Sequence, residues 1–348
     1  MTDIKEYNRL MIMLIISAMV VFGLNDYVSS ALNASYIECI LSSIVAAVVY
    51  AALYNHKAVK SLLKSNGVVG RILCILIVIT FLMYSGAYTA KLVGLINDFF
   101  MPKSPLPYLT FFCIFPAVFG GYFGIKPVSR YGSIGWIITL VVTVFVLVLC
   151  VAEYNTYNLY PIFGNGGANL LKGSFNISVF GVMLVYYVIM SDSKATNKQV
   201  RFQIAKFVLI SGVFGAAVCL GLSLLLPYYA VGYSHNPYLT VASSVRLNFM
   251  LERSESVVLV LWIFCSFLCI SALCASIFSA CGKMQGILDK RGIIGCVTAI
   301  IYVIAILAQR FNFSDYLIGV STYVLTLLSI LIPVIAYIRY FICRRIDK

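Results

Sequence analysis

An all-α, polytopic membrane protein of about ten transmembrane helices is the fold class this sequence predicts, and three observations predict it. Hydrophobic residues fill 62% of 348 positions and charged ones only 11%, against about 45–50% and about 25% in a soluble domain. Apolar runs of about 20 residues, enough to cross a hydrocarbon core of about 30 Å, recur along the whole chain. The lysines and arginines fall between those runs, on alternate sides of them.

Taken in order, the spans lie near 10–32, 36–54, 69–98, 107–125, 129–152, 174–191, 203–228, 255–282, 291–309 and 316–341. The first follows Lys5 and Arg9 and lacks a small-residue cleavage site, so it reads as a retained helix and not a signal peptide. The third and eighth exceed the length of a perpendicular crossing, which predicts tilt or extension beyond the bilayer. Between the fifth and sixth spans, 153–173 carries Tyr154, Tyr157, Tyr160, Pro161 and the Gly-Asn-Gly-Gly stretch 164–167, which reads as an ordered interfacial loop. A second outer segment, 234–254, opens on Ser234, His235, Asn236 and Pro237 and reads as a short interfacial helix. Either segment is placed to cap an outward-facing cavity.

With the N-terminus inside, 19 of the 25 Lys and Arg residues fall on the inner side, 5 on the outer side, and Lys91 within a span. That bias supports an even number of crossings and places both termini in the cytoplasm. It also spreads most of the basic residues behind the net charge of +13 over six short inner segments, which excludes a single nucleic-acid-binding face. The eleven cysteines lie mostly inside apolar runs without a CxxC pair, so buried thiols are expected, with no disulfide framework, metal or cofactor. There is no HExxH, GxSxG or Walker loop, and His56 and His235 read as loop residues on opposite sides, so catalysis is not expected. Asn33-Ala34-Ser35 fits a glycosylation sequon, a pattern frequent by chance.

Candidate site residues come from polar and glycine positions at mid-membrane depth. A helix break there must line a cavity, because lipid cannot pair backbone groups. In the first span Phe22, Gly23, Leu24, Asn25 and Asp26 lie about halfway along; in the sixth, Ser178, Val179, Phe180 and Gly181 do. Packing glycines are the plainer reading of each alone. Their separation by five spans predicts a five-plus-five inverted-repeat transporter fold with broken helices 1 and 6, in which exposed amides meet an anionic group and carbonyls meet cations. The chain is then one domain, 1–348, with repeats near 10–152 and 174–341. Tyr84, Tyr88 and Lys91 share a face of the third span. Lys91 either snorkels outward or pairs with Glu38 or Asp26 around the cavity. Glu38 itself is expected at the interface. In the eighth span Trp262, Phe267 and Ser271 are further lining candidates, whereas Cys265 and Cys269, one turn apart, read as packing residues.

Several strings resemble the spore germination receptor B subunits, the endospore germination permeases of the amino acid–polyamine–organocation superfamily. The most specific is Leu251-Glu252-Arg253-Ser254-Glu255 followed by Trp262; next come Asn158-Leu159-Tyr160-Pro161, Gly164 to Gly167, Leu170-Leu171-Lys172-Gly173, and Gly124 with Arg130. The resemblance covers nearly the whole chain. It implies the five-plus-five fold, the inner membrane of a dormant spore, partnership with a larger membrane A subunit and a lipoprotein C subunit, and an amino acid or similar nutrient as ligand. Gly23 matches the family's first-helix glycine at the ligand pocket. Where the family often has an acid shortly after the sixth-helix glycine and a proline further along, this chain reads Gly181-Val182-Met183 and Tyr186-Tyr187-Val188. That departure favours nutrient sensing over proton-coupled transport, with an active amino acid or cation carrier as the alternative.

Overall fold

The computed structural model describes residues 4–19, 24–64, 68–99, 101–190, 196–227, 254–283 and 290–346, with Ala230 and Val241. All regular structure among them is helical: α1 (Ile4–Ala18), α2 (Leu24–Ala31), α3 (Ser35–Leu53), α4 (His56–Lys64), α5 (Val68–Phe99), α6 (Leu106–Tyr122), α7 (Ile125–Leu149), α8 (Gly167–Ser174), α9 (Ser178–Met190), α10 (Asn197–Leu225), α11 (Ser254–Lys283), α12 (Lys290–Arg310) and α13 (Ser314–Ile346). Seven helical stretches among the described residues are long and apolar enough to cross a membrane. The three remaining expected spans fall short for identifiable reasons. The first is described only as α1 and α2, on either side of 20–23. The fourth, α6, is apolar but 17 residues long. The sixth, expected over 174–191, is the 13-residue α9, preceded by the short α8 in the segment expected as a loop.

Packing is inside out relative to a soluble protein. Phe111, Phe115 and Phe119 on α6 and Val141, Val144 and Val148 on α7 face outward, where hydrocarbon is the fitting solvent. Inside, Tyr27, Tyr84, Tyr88 and Phe81 are fully buried. Helices approach closely at small residues, as membrane helices do. A Cβ on Gly212 of α10 would collide with Ser43 of α3, and one on Gly121 of α6 would come 2.7 Å from the Ser271 carbonyl of α11. The neighbours of α1 are α7, α10, α9 and α11; α13 lies on α5, α9 and α4; α11 lies on α5, α6 and α7; α12 lies on α5 and α6.

Several expectations are corrected here. His56 is buried and opens helix α4, whose apolar face of Ala58, Val59, Leu62 and Leu63 packs inward while Lys57 faces out. The glycine stretch 164–167 is only partly a loop: Gly166, at φ 102°, turns the chain into α8, which buries Leu170 beside Ala31 and Ala34. Asn33 is 1% exposed, so its amide is closed to glycosylation. It donates instead to the carbonyls of Leu159 at 2.9 Å and Pro161 at 3.0 Å. Those bonds hold the corner at Leu32, whose φ of 52° ends α2 and costs about 1–2 kcal/mol in a non-glycine residue. The segment expected as an interfacial helix, 234–254, lies outside the described residues apart from Val241 and Ser254.

Candidate functional site

The site begins where a helix stops. α8 ends at Ser174 and α9 starts at Ser178, and between them Asn176 turns its side chain to the new helix. Asn176 Oδ1 accepts from the Ser178 amide at 3.3 Å and from the Ser178 hydroxyl at 2.6 Å, which caps α9. The chain interruption thus sits at 175–177, and Ser178, Phe180 and Gly181 form the first turn of α9 instead of the break itself. The uncoiled stretch is only partly covered by protein: Asn176 and Ile177 are half-buried, and Phe175 is 70% exposed.

Beside that interruption lies a pocket of ≈ 540 Å³, within the range of about 300–1,000 Å³ that suits small molecules. Five helices and one turn converge on it: α1 and α2 through Ala18, Asp26 and Ser29, α5 through Tyr84 and Lys91, the α8–α9 turn through Asn176, α9 through Ser178, and α13 through Asp315 and Thr322. Across its wall Lys91 Nζ meets Asp315 Oδ1 at 2.6 Å. The lysine side chain is 27% exposed and the aspartate 74%, so water or ligand reaches the pair. An ion pair this open contributes at most about 1 kcal/mol to stability.

Behind the pocket, Glu38 is 1% exposed and accepts from Ser30 Oγ at 2.7 and 2.8 Å. Whatever its depth, Glu38 is covered by protein: α8 packs over α3, and Gly173 of α8 lies so close that a Cβ there would land on the carboxylate. Lys91 correspondingly pairs with Asp315, and neither with Glu38 nor with Asp26.

Of the sequence-derived candidates, Asp26, Tyr84, Lys91 and Ser178 line this one pocket. Tyr88 stands behind Tyr84, their rings 6.2 Å apart, and ties three helices together through Ser17 of α1 at 2.7 Å and Ser266 of α11 at 3.0 Å. Phe180 is fully buried outside the lining. Gly181 is a packing glycine, since a Cβ would come 2.6 Å from Thr326 Oγ1 on α13. Phe267 and Ser271 miss the pocket as well: Ser271 bonds the Phe267 carbonyl at 2.8 Å and abuts Gly120 of α6. Trp262 is buried away from it, and so are Cys265 and Cys269. Phe22 and Gly23 lie outside the described residues, and Asn25 is described only as backbone of α2. Sequence reasoning missed Asn176, Asp315, Thr322 and Tyr323. Of these, Asp315 had a signal, as an acid at the start of the last span able to answer a lysine held inside another.

The geometry defines a multi-pass helical membrane protein with a polar, solute-sized pocket beside an interrupted helix. A family model for spore germination proteins, the spore permeases, matches residues 3–314, and the chain belongs to that family. It is similar to the "Putative spore germination protein YfkT" of Bacillus subtilis (strain 168), with 22% identity over 213 residues. That match covers 60% of this chain and 58% of the relative, less than two thirds of its length.

Proposed function

We propose that this protein is the permease-like subunit of a nutrient germinant receptor, and that an amino acid or similar small solute binds in the pocket between α2, α5, α9 and α13. The observation that carries the reading is the convergence of the α8–α9 interruption, Asp26 and the Lys91–Asp315 pair on one solute-sized cavity. Family membership supplies the germination context. In this reading the chain sits in the inner membrane of the spore with both termini in the cytoplasm, beside A and C subunits. Ligand binding acts by favouring one arrangement of α9 and α13, which the partner subunits register.

The proposed scaffold is the ten-span, five-plus-five inverted repeat, with α1–α2 as the first span and α8–α9 as the sixth. Helix neighbours support it. Shifting each span by five turns α1 against α7 into α9 against α13, α5 against α12 into α11 against α6, and α1 against α10 into α8 against α3, while α3 against α10 maps onto itself. The α5–α6 and α1–α11 contacts have no equally extensive counterpart among the described residues, so the relation is approximate. That same symmetry favours the alternative, an active carrier, because alternating access is the usual use of such a scaffold.

A pocket-filling change tests the site. Val182 is 1% exposed and lines the cavity, so Val182→Trp should abolish the nutrient response of spores at unchanged protein level. An unaltered dose response would remove the pocket from the mechanism. Accumulation of labelled solute in sealed vesicles would replace the sensor by the carrier.

A further inference from the structure

Resting on the pocket assigned above, we propose that its ligand is a small organic cation, held by an ammonium group against Asp26 and Asp315, and not an acidic or uncharged nutrient. Among the described residues the charges lining the cavity are two carboxylates and one ammonium. Lys91 is already engaged by Asp315 at 2.6 Å. Among the described residues no cation and no hydrogen-bond donor sits on the Asp26 carboxylate, whose backbone carbonyl alone is bonded, by the Ser29 hydroxyl. Glu38, one hydroxyl away behind Ser30, adds a third carboxyl with no described cation. Asp26 and Asp315 are both exposed to the pocket opening, so their charge is reachable by a ligand, and an excess of one sign favours the opposite sign in that ligand.

The usual argument for an anion at a helix interruption fails here for a geometric reason. Exposed amides at the start of a helix attract negative groups. In α9 the Ser178 amide is held by Asn176 Oδ1, and the amides of Phe180 and Gly181 both donate to the Ile177 carbonyl, at 3.1 and 3.2 Å. Three of the first four amides therefore have acceptors already. Tyr84 and Tyr323 also line the cavity, and aromatic faces favour an ammonium further. A ligand with its own carboxylate could still use Lys91, but its net charge must be positive to balance the site. A basic amino acid or a diamine meets that description.

The test is equilibrium binding to the full chain in lipid nanodiscs with L-lysine, putrescine, L-alanine, L-glutamate and glucose as probes. Saturable binding of lysine or putrescine at least about tenfold tighter than alanine is expected, with no competition from glutamate or glucose. Asp26→Asn should weaken the cation by at least about tenfold, while Asp26→Glu retains the preference and both variants keep the thermal midpoint of the parent. Equal or tighter binding of alanine, glutamate or glucose, or an Asp26→Asn variant with unchanged lysine affinity, overturns the charge assignment and leaves the receptor reading standing. Absence of saturable binding for every probe overturns the assignment too, and the response of Val182→Trp spores then decides whether the pocket itself survives.

Discussion

At the scale of single residues, polar groups buried between helices carry the information. A carboxyl enclosed by protein must have a partner, because leaving it without one costs about 1–3 kcal/mol. For Glu38 the described partner is the Ser30 hydroxyl, at 2.7 and 2.8 Å. Ser30→Ala should therefore lower unfolding stability by about 1–3 kcal/mol, readable as a lower thermal midpoint in detergent. A variant as stable as the parent would mean that water or another group satisfies Glu38. The hydroxyls of Ser17, Tyr88 and Ser266 follow the same logic: each bonds another, so a polar cluster among α1, α5 and α11 is tolerated in a membrane-embedded core.

Among the elements, close approach decides which helices stay together, and α6 with α11 is the sharpest case. A Cβ on Gly121 would come 2.7 Å from the Ser271 carbonyl and 3.0 Å from the Ala275 amide, both backbone atoms that cannot rotate away. Gly121→Val should force the two helices apart and destabilise the fold by about 1–3 kcal/mol. Gly94 on α5 has nothing within 4 Å of its Cβ position, so Gly94→Ala is the control, expected to be neutral or to stabilise by up to about 1 kcal/mol. Melting curves of the two variants that coincide would show that the α6–α11 contact is not tight. The α8–α9 interruption belongs to this scale too: Asn176 caps α9 at the pocket wall, so the break and the site are one feature.

For the whole molecule, the outward faces of α6 and α7 require lipid, and the distribution of charge sets the orientation proposed above. A reporter active only in the cytoplasm should function when fused after Lys348 and fail when inserted at Lys103. Equal activity at both positions would overturn the topology, and with it the even count of crossings. The five-span repeat proposed above belongs to this scale alone, since it rests on the pattern of helix neighbours and on no single pair.

Hydropathy and the placement of Lys and Arg were enough to read membrane residence, helical class and the limits of most spans, because apolar length and charge between runs are local quantities that bilayer physics acts on directly. They also drew attention to Asp26, Tyr84, Lys91 and Ser178, polar groups set within apolar runs. Which groups meet was decided by tertiary structure. Lys91 finds its acid 224 positions away at Asp315, Glu38 disappears beneath α8, and Gly181, Phe267 and Ser271 turn to neighbouring helices instead of the cavity. Periodicity places a residue on a face of its own helix, but the rotation and partner of that helix are set by packing against segments distant in the chain.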